Sequence, residues 1–267
     1  MIALAGPANK QGRIAADNIC GLDSHYHGSQ GSSVLKLFDL TAGTTGISEK
    51  KARSLGYETD SVVLSPMSHA SYYPGGMVMT MKVVFEKNTY KLLGAQIIGY
   101  DGVDKRIDVL ATAIRAGLKA TDLKDLDFAY APPYSSAKDP VNMAGFMIDN
   151  IAKGVLKQWH LEDADKLPCD GSVTLLDTRT VGEYTQGHIE GFKNIPVDEL
   201  RERLDEVEKD KPVYVICQSG LRSYIASRIL EGNGYTAYNF AGGFRFFDAV
   251  MNDRALIECA TACGRDN

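Results

Sequence analysis

Apolar positions follow two regimes along the chain, and they change over near residue 158. In the first, Val34-Leu35-Lys36-Leu37-Phe38-Asp39-Leu40 reads as a strand and Val62-Val63-Leu64 as another. Met77 to Glu86 and Lys91 to Ile98 are partly alternating apolar runs separated by Lys87-Asn88-Thr89-Tyr90, which is the spacing of a hairpin. Helical spacing takes over at Val103, Ile107, Leu110, Ala111, Ile114 and Leu118, with Gly117 near the end. It returns from Val141 to Ala152 behind Pro140. Ser48 is placed to cap a short helix that Gly56 stops, because a serine hydroxyl satisfies a free amide and glycine tolerates a left-handed ending. Strands followed by helices predict an α+β domain.

Around Gln158 to Gly171 the periodicity lapses, and 158–171 reads as a linker. Beyond it short apolar runs alternate with helical spacing: Val173 to Leu176, a helix near Val181 to Tyr184, Leu200 to Val207, Val213 to Ile216, Leu221 to Leu230 and Ala237 to Phe240. This alternation predicts an α/β domain with a parallel central sheet over 172–255, followed by a tail over 256–267. The opening is glycine-rich through Gly31, with one short helical stretch from Arg13 to Ile19.

Charge and cysteine usage narrow the function. A net charge of −5 without a basic stripe excludes a nucleic-acid partner. No apolar run is long enough to span a bilayer, and the start lacks the basic flank and apolar core of a signal peptide, so the expected location is cytoplasmic, with no membrane partner. Five cysteines, at 20, 169, 217, 259 and 263, fit neither a disulfide framework nor a zinc-ligand spacing, and no metal is expected.

Cys217 stands out by position. The apolar run Val213-Tyr214-Val215-Ile216 ends directly in Cys217-Gln218-Ser219-Gly220-Leu221-Arg222-Ser223, and helical spacing begins there. A cysteine between a buried strand and a helix N-terminus faces loop amides that stabilise a thiolate or an anionic substrate, which should lower its pKa. Gly220 lets the backbone curl and Arg222 adds fixed charge. A buried, inert cysteine at a strand end is the other reading of the same position.

This loop resembles that of the rhodanese-like sulfurtransferases, which starts with cysteine and closes with arginine. A second block agrees: Asp177, Arg179, Glu183, Tyr184, Gly187, His188, Ile189, Gly191, Asn194, Ile195 and Pro196 fall where the family's pattern expects them, and Ala241-Gly242-Gly243 matches its glycine turn. Phe192 and Phe246-Phe247 depart from the pattern at packing positions. The resemblance implies that Cys217 takes a sulfane sulfur as a persulfide and passes it to a thiol acceptor, with Arg222 as its catalytic companion. Gln218, Ser219, Gly220 and Leu221 would cradle the sulfur, and Asp177 and Arg179 would brace the loop. Related phosphatases have a loop one residue longer, so the four residues between Cys217 and Arg222 favour sulfur over phosphoryl transfer.

The first half resembles coenzyme A disulfide reductases that carry a fused rhodanese domain. Leu4 to Ile19 looks like the end of their flavin domain. Gly31 to Thr45, His69 to Gly75, Gly102 to Val109 and Ala129 to Pro140 look like their dimerisation domain. The expected division is thus 1–32 as the end of a flavin-binding domain and 33–157 as a pyridine nucleotide-disulfide oxidoreductase dimerisation domain. The resemblance implies a homodimer, and FAD, NAD(P)H and coenzyme A in the full-length family. No cofactor is expected in this chain, which lacks a GxGxxG fingerprint and reads as part of a longer FAD-dependent disulfide or persulfide oxidoreductase. Tyr72 and Tyr130 match the family's active-site tyrosines, against the alternative that they only pack at an interface. Lys10, Arg13, Lys105 and Arg106 read either as solvated or ion-paired surface charge or as groups approaching coenzyme A or flavin phosphates. The competing function is a non-catalytic dimerisation or docking module.

Overall fold

The computed structural model describes residues 4–164, 166–168 and 170–263, with 256–263 described by backbone alone. Helix α1 (Ala5–Ile19) begins eight residues before the expected Arg13. No residue of α1 is buried, so no apolar stripe marks its length in the sequence. The first domain then runs β1 (Ser33–Leu37), β2 (Leu40–Gly46), α2 (Glu49–Ser54), β3 (Thr59–Leu64), β4 (Thr80–Glu86), β5 (Leu92–Gly99), α3 (Val103–Ala116), a 3-10 turn (Ala120–Asp125) and α4 (Pro140–Ala152). Its five strands lie in the order β1-β2-β5-β4-β3, every neighbour antiparallel.

One face of that sheet is buried by the helices. Met81, Val83, Phe85 and Ile97 form a single cluster with Ile107 and Leu110 of α3 and with Val141, Ala144 and Ile148 of α4. Local chemistry sets the ends of the elements. Ser48 Oγ accepts from Lys51 N at 3.3 Å at the start of α2, and Asp139 caps α4 through Val141 N with Pro140 in the first turn. The strand expected from Met77 starts only at Thr80, because Ser68 N donates to Met77 O and Met79 N donates to Pro66 O, folding 67–78 back on itself.

The second domain runs β6 (Gln158–Trp159), α5 (Leu161–Ala164), β7 (Thr174–Asp177), α6 (Val181–Gln186), β8 (Lys193–Asn194), β9 (Val213–Ile216), α7 (Leu221–Gly232), β10 (Ala237–Phe240) and α8 (Gly243–Cys263). Its strands lie in the order β6-β10-β9-β7-β8, all parallel. Alternate residues feed clusters on opposite faces: Val213 and Val215 join Ala226 and Leu230 of α7, whereas Ile216 and Tyr214 join Trp159, Phe192 and Phe240.

Three expectations are corrected here. The segment 158–171 is not a plain linker, because Gln158–Trp159 is the edge strand of the parallel sheet and Trp159 is buried in its core. Leu200 to Val207 forms turns with one 3-10 stretch, Leu204–Glu206, rather than a longer regular element. Residues 256–263, expected in a tail, continue α8 in backbone. Cys169 lies outside the described residues, as do the side chains of Cys259 and Cys263, and Cys20 is exposed.

Trp159 is the only tryptophan in the chain; it stacks on Phe192 and packs at a tilt against Phe240, with ring centroids 6.1 and 4.2 Å away. Its emission therefore reports unfolding of the second domain alone. Phe192 is 3% exposed, and Phe192→Ala should destabilise that domain by about 3–5 kcal/mol. Urea unfolding followed by Trp159 fluorescence checks this, and a change below 1 kcal/mol or so would refute the packing role.

Candidate functional site

Cys217 follows the last residue of the buried strand β9 and precedes α7 by three residues. The loop between them is held from above by the start of α8, whose Phe244 N donates to Cys217 O at 2.7 Å and Arg245 N to Gln218 O at 3.1 Å. This approach requires glycine at 243, where φ is +72° and a Cβ would stand 2.6 Å from Ser219 N. Gly220, at φ +98°, turns the chain into α7.

The turn directs two donors at the sulfur. Gly220 N lies 3.1 Å and Ser223 Oγ 3.2 Å from Cys217 Sγ. Ser223 Oγ is also 3.2 Å from Gly220 O, but a hydroxyl has one proton to give. When the sulfur is a thiolate, that proton goes to sulfur, and Asn239 Nδ2, 3.4 Å from Gly220 O, still engages the carbonyl. Asn239 is itself buried, with Oδ1 lacking a partner.

Asp177 and Arg179 form a buried ion pair beside the loop, each side chain 1% exposed. Arg179 donates to Asp177 Oδ2 at 2.7 Å, to Gly187 O at 2.8 Å and to Gln218 Oε1 at 3.4 Å, while its guanidinium lies 3.9 Å above the Phe244 ring. Asn194 Nδ2 fastens the same segment through Asp177 O and Arg179 O. One arginine therefore spans the end of β7, the turn at Gly187, the cysteine loop and the head of α8.

Arg222 does not point free charge at the sulfur. It makes two 2.7 Å hydrogen bonds to Glu183, the third residue of α6, which is also locked to Thr180 in a reciprocal cap. The Arg222 hydrogen bonds, opposed by partial burial and reinforced by Thr180, hold the Glu183 carboxyl down at about 2. The same contact raises Arg222 above its ordinary value.

The structure thus brings Cys217, Gln218, Ser219, Gly220, Leu221, Arg222, Asp177 and Arg179 together. Tyr72 and Tyr130 belong to the other domain, where their hydroxyls meet at 2.9 Å although they are 58 residues apart. That hydrogen bond raises the Tyr130 phenol above its usual range. Arg106, read from sequence as surface charge or a phosphate ligand, is 1% exposed and paired with Asp139, so it is neither. Sequence reasoning left Glu183, Ser223 and Asn239 out of the site. Thr180-x-x-Glu183 was visible as a capping signature, and Asn239 as a lone amide between Tyr238 and Phe240, but nothing local marked Ser223.

Residues 32–140 match the pyridine nucleotide-disulphide oxidoreductase dimerisation domain, and residues 160–249 match the rhodanese-like domain. The chain therefore carries a pyridine nucleotide-disulphide oxidoreductase dimerisation domain followed by a rhodanese-like domain. It is 38% identical over 146 residues to a coenzyme A disulfide reductase of Staphylococcus epidermidis, covering 54% of this chain and 33% of that protein. It is 36% identical over 140 residues to an NAD(P)H coenzyme A polysulfide/persulfide reductase of Pyrococcus horikoshii, covering 52% of this chain and 31% of that one. Among solved structures it resembles reduced Bacillus anthracis CoADR-RHD, with TM-score 0.91 and 48% identity over 95% of this chain and 46% of that one. An NAD-dependent persulfide reductase from A. fulgidus gives TM-score 0.81 and 38% identity over 90% of this chain and 44% of that one. The chain spans about a third of the length of these curated relatives and under half of these structures.

Because its folded pKa is depressed, Glu183 contributes stability that is present above the ordinary carboxylate range and lost as pH falls from 4.5 toward about 2. Glu183→Gln should therefore be less stable than the parent at neutral pH, with the gap closing over that acid range. With both side chains about a third exposed, solvent screening keeps the difference to roughly 1 kcal/mol or less. Urea melts of the two proteins across that pH range test this, and a pH-independent gap would exclude the pair as its source.

Proposed function

We propose that this chain is a sulfurtransferase working through Cys217. The observation that carries this reading is the Cys217 sulfur at a strand end, with Gly220 N and Ser223 Oγ both directed at it. In the first half-reaction the Cys217 thiolate attacks the outer sulfur of a sulfane donor. A new S–S bond forms, the donor's own S–S bond breaks, and the leaving group departs as sulfite from thiosulfate or as a thiolate from an organic persulfide. In the second, an acceptor thiolate attacks the terminal sulfur of the Cys217 persulfide, takes it, and returns the cysteine as thiolate. No net oxidation occurs in the cycle. Gly220 N and Ser223 Oγ, both directed at Cys217 Sγ, would hold the negative charge of the thiolate form. Cys217 has no exposed area, so a donor reaches the sulfur only as the loop around it opens.

In a full-length relative of the coenzyme A disulfide or persulfide reductase kind, the delivered sulfur would be reduced by FAD and NAD(P)H, with coenzyme A as the thiol acceptor. The buried polar atoms without partners among the described residues, Ser65 Oγ, Gln158 Oε1 and Asn239 Oδ1, are not in the cavity that α1 and residues 25–32 enclose. No step is therefore routed through a flavin here. Tyr72 and Tyr130 are the proposed phenols of that larger enzyme, where one hydroxyl would donate to a leaving thiolate.

A homodimer is proposed through the first domain, whose family is a dimerisation domain and whose edge strand β1 leaves Val34, Leu35 and Leu37 more than half exposed. Among the described residues no helix is long and apolar enough to cross a membrane.

Intact mass before and after thiosulfate or an organic persulfide should show one added sulfur atom, absent in Cys217→Ser. Failure of both donors to load the parent protein would leave the docking-module reading in its place. Light scattering at micromolar concentration should give twice the chain mass of 29.1 kDa, and a monomer would count against the dimer.

A further inference from the structure

Tyr72 and Tyr130 sit on separate loops, one between β3 and β4 and the other between the 3-10 turn and α4. Both are exposed, at 75% and 46%, so packing does not hold the rings in register. Two exposed side chains on two loops keep a 2.9 Å contact only if something beneath fixes the loops to each other.

Arg106 of α3 lies beneath both. Its Nη2 donates to Ser68 O at 2.9 Å, in the loop of Tyr72, and to Ser135 Oγ at 3.2 Å, in the loop of Tyr130. The same nitrogen is 2.9 Å from Asp139 Oδ2, which also accepts from Ser135 Oγ at 2.6 Å. The remaining Nη1 donates to Gly102 O at 3.1 Å. A Cβ at Gly102 would stand 2.0 Å from that nitrogen, so the turn into α3 accommodates the guanidinium only with glycine there. A backbone bond from Ala70 N to Ser135 O, 3.0 Å long, ties the loops at the same level. Above this cluster Tyr130 borders a cavity of about 560 Å3 that Asp101, Lys105 and Tyr134 also line.

We propose that Arg106 is a positioning residue for the Tyr72–Tyr130 phenol pair: by bonding Ser68 O on one loop and Ser135 Oγ on the other, it sets the distance between the two hydroxyls. A lysine keeps the charge opposite Asp139 but cannot span Gly102 O, Ser68 O and Ser135 Oγ from one rigid plane. This inference goes beyond sulfur transfer at Cys217 and does not require it, because its readout is the ionisation of a phenol in the other domain.

The test is an NMR titration of the whole chain labelled with carbon-13 at the tyrosine ζ position, with Tyr130 assigned by its loss in Tyr130→Phe. In the parent protein, Tyr72→Phe should lower the Tyr130 midpoint, because the hydrogen bond that Tyr130 donates to the neighbouring phenol is what raises it. In an Arg106→Lys background the Tyr130 midpoint should already be lowered, and adding Tyr72→Phe should shift it no further. Ser135→Ala removes a contact on the Tyr130 side without leaving a buried charge unpaired, and should weaken the coupling in the same direction. It serves alone if Arg106→Lys does not fold. A variant that melts at a lower temperature yet keeps the full Tyr72-dependent shift would overturn the proposal, since a purely structural arginine behaves that way. Sulfur loading at Cys217, measured on the same samples, should match the parent and reads the other proposal independently.

Discussion

The Arg179–Asp177 ion pair, sealed from solvent on both sides, is the contact on which the cysteine loop depends. A guanidinium removed from water must have every donor engaged, and breaking such a pair costs about 3–5 kcal/mol because the remaining charge is left without compensation. Arg179 meets this demand by reaching four separate segments, so the cost of burying the charge becomes a constraint on where those segments lie. The loop carrying Cys217 is one of them. Arg106 and Asp139 repeat the device in the first domain, again with one arginine collecting carbonyl and hydroxyl oxygens from loops distant in sequence. In both domains the side chains available for chemistry sit on loops, and a buried arginine below supplies the rigidity that loops lack.

Much of this was legible along the chain because local chemistry and tertiary packing agree. The four-residue run Val213–Ile216 is a central strand of a parallel sheet, buried on both faces, and reads as continuous apolar sequence for that reason. The hairpin at 87–90 and the helices α3 and α4 were visible through spacing alone. Where one face is not buried, the signal disappears: α1 is helical over fifteen residues with none buried, and only its second half carried a helical pattern. Strand β6 was missed for the opposite reason. Two residues are too short for any period, and Trp159 belongs to its sheet through pairing with β10, which lies 78 residues further on.

The candidate site divides along the same line. Position identified Cys217, since a strand end followed by glycine and a helix is itself a sequence pattern. The partners of Arg222 and of the sulfur are tertiary facts. Glu183 lies 39 residues before Arg222, and its capping signature shows where a helix starts without showing which cation its carboxylate meets. Arg106 shows the limit most plainly. In a sequence, a Lys-Arg pair in the first turn of an amphipathic helix looks like solvated charge, yet only Lys105 is exposed while Arg106 is turned inward. The feature that permits this is Gly102, four residues earlier, whose missing side chain leaves room for the guanidinium.

The junction between the domains follows from chain length as much as from contacts. Only residues 153–157 separate α4 from β6, and five residues span at most roughly 17 Å when fully extended. A tether of that length keeps the second domain at high effective concentration beside the first, so contacts that are individually weak are enough to hold it there. Those contacts are spread around the seam: Arg53 with Glu162, His160 with Asp60, Asn150 with Tyr224, and Arg228 with Val155 O. Burial alone would push the Asp60 carboxyl up, but the His160 hydrogen bond and charge outweigh it and hold it below the usual range, so the ion at the seam persists at neutral pH. Because Trp159 is both the second residue past that tether and a stacked member of the second core, the short linker is anchored at both ends in packed structure. The parallel-sheet domain is therefore fixed to its neighbour by covalent geometry first and by polar contacts second.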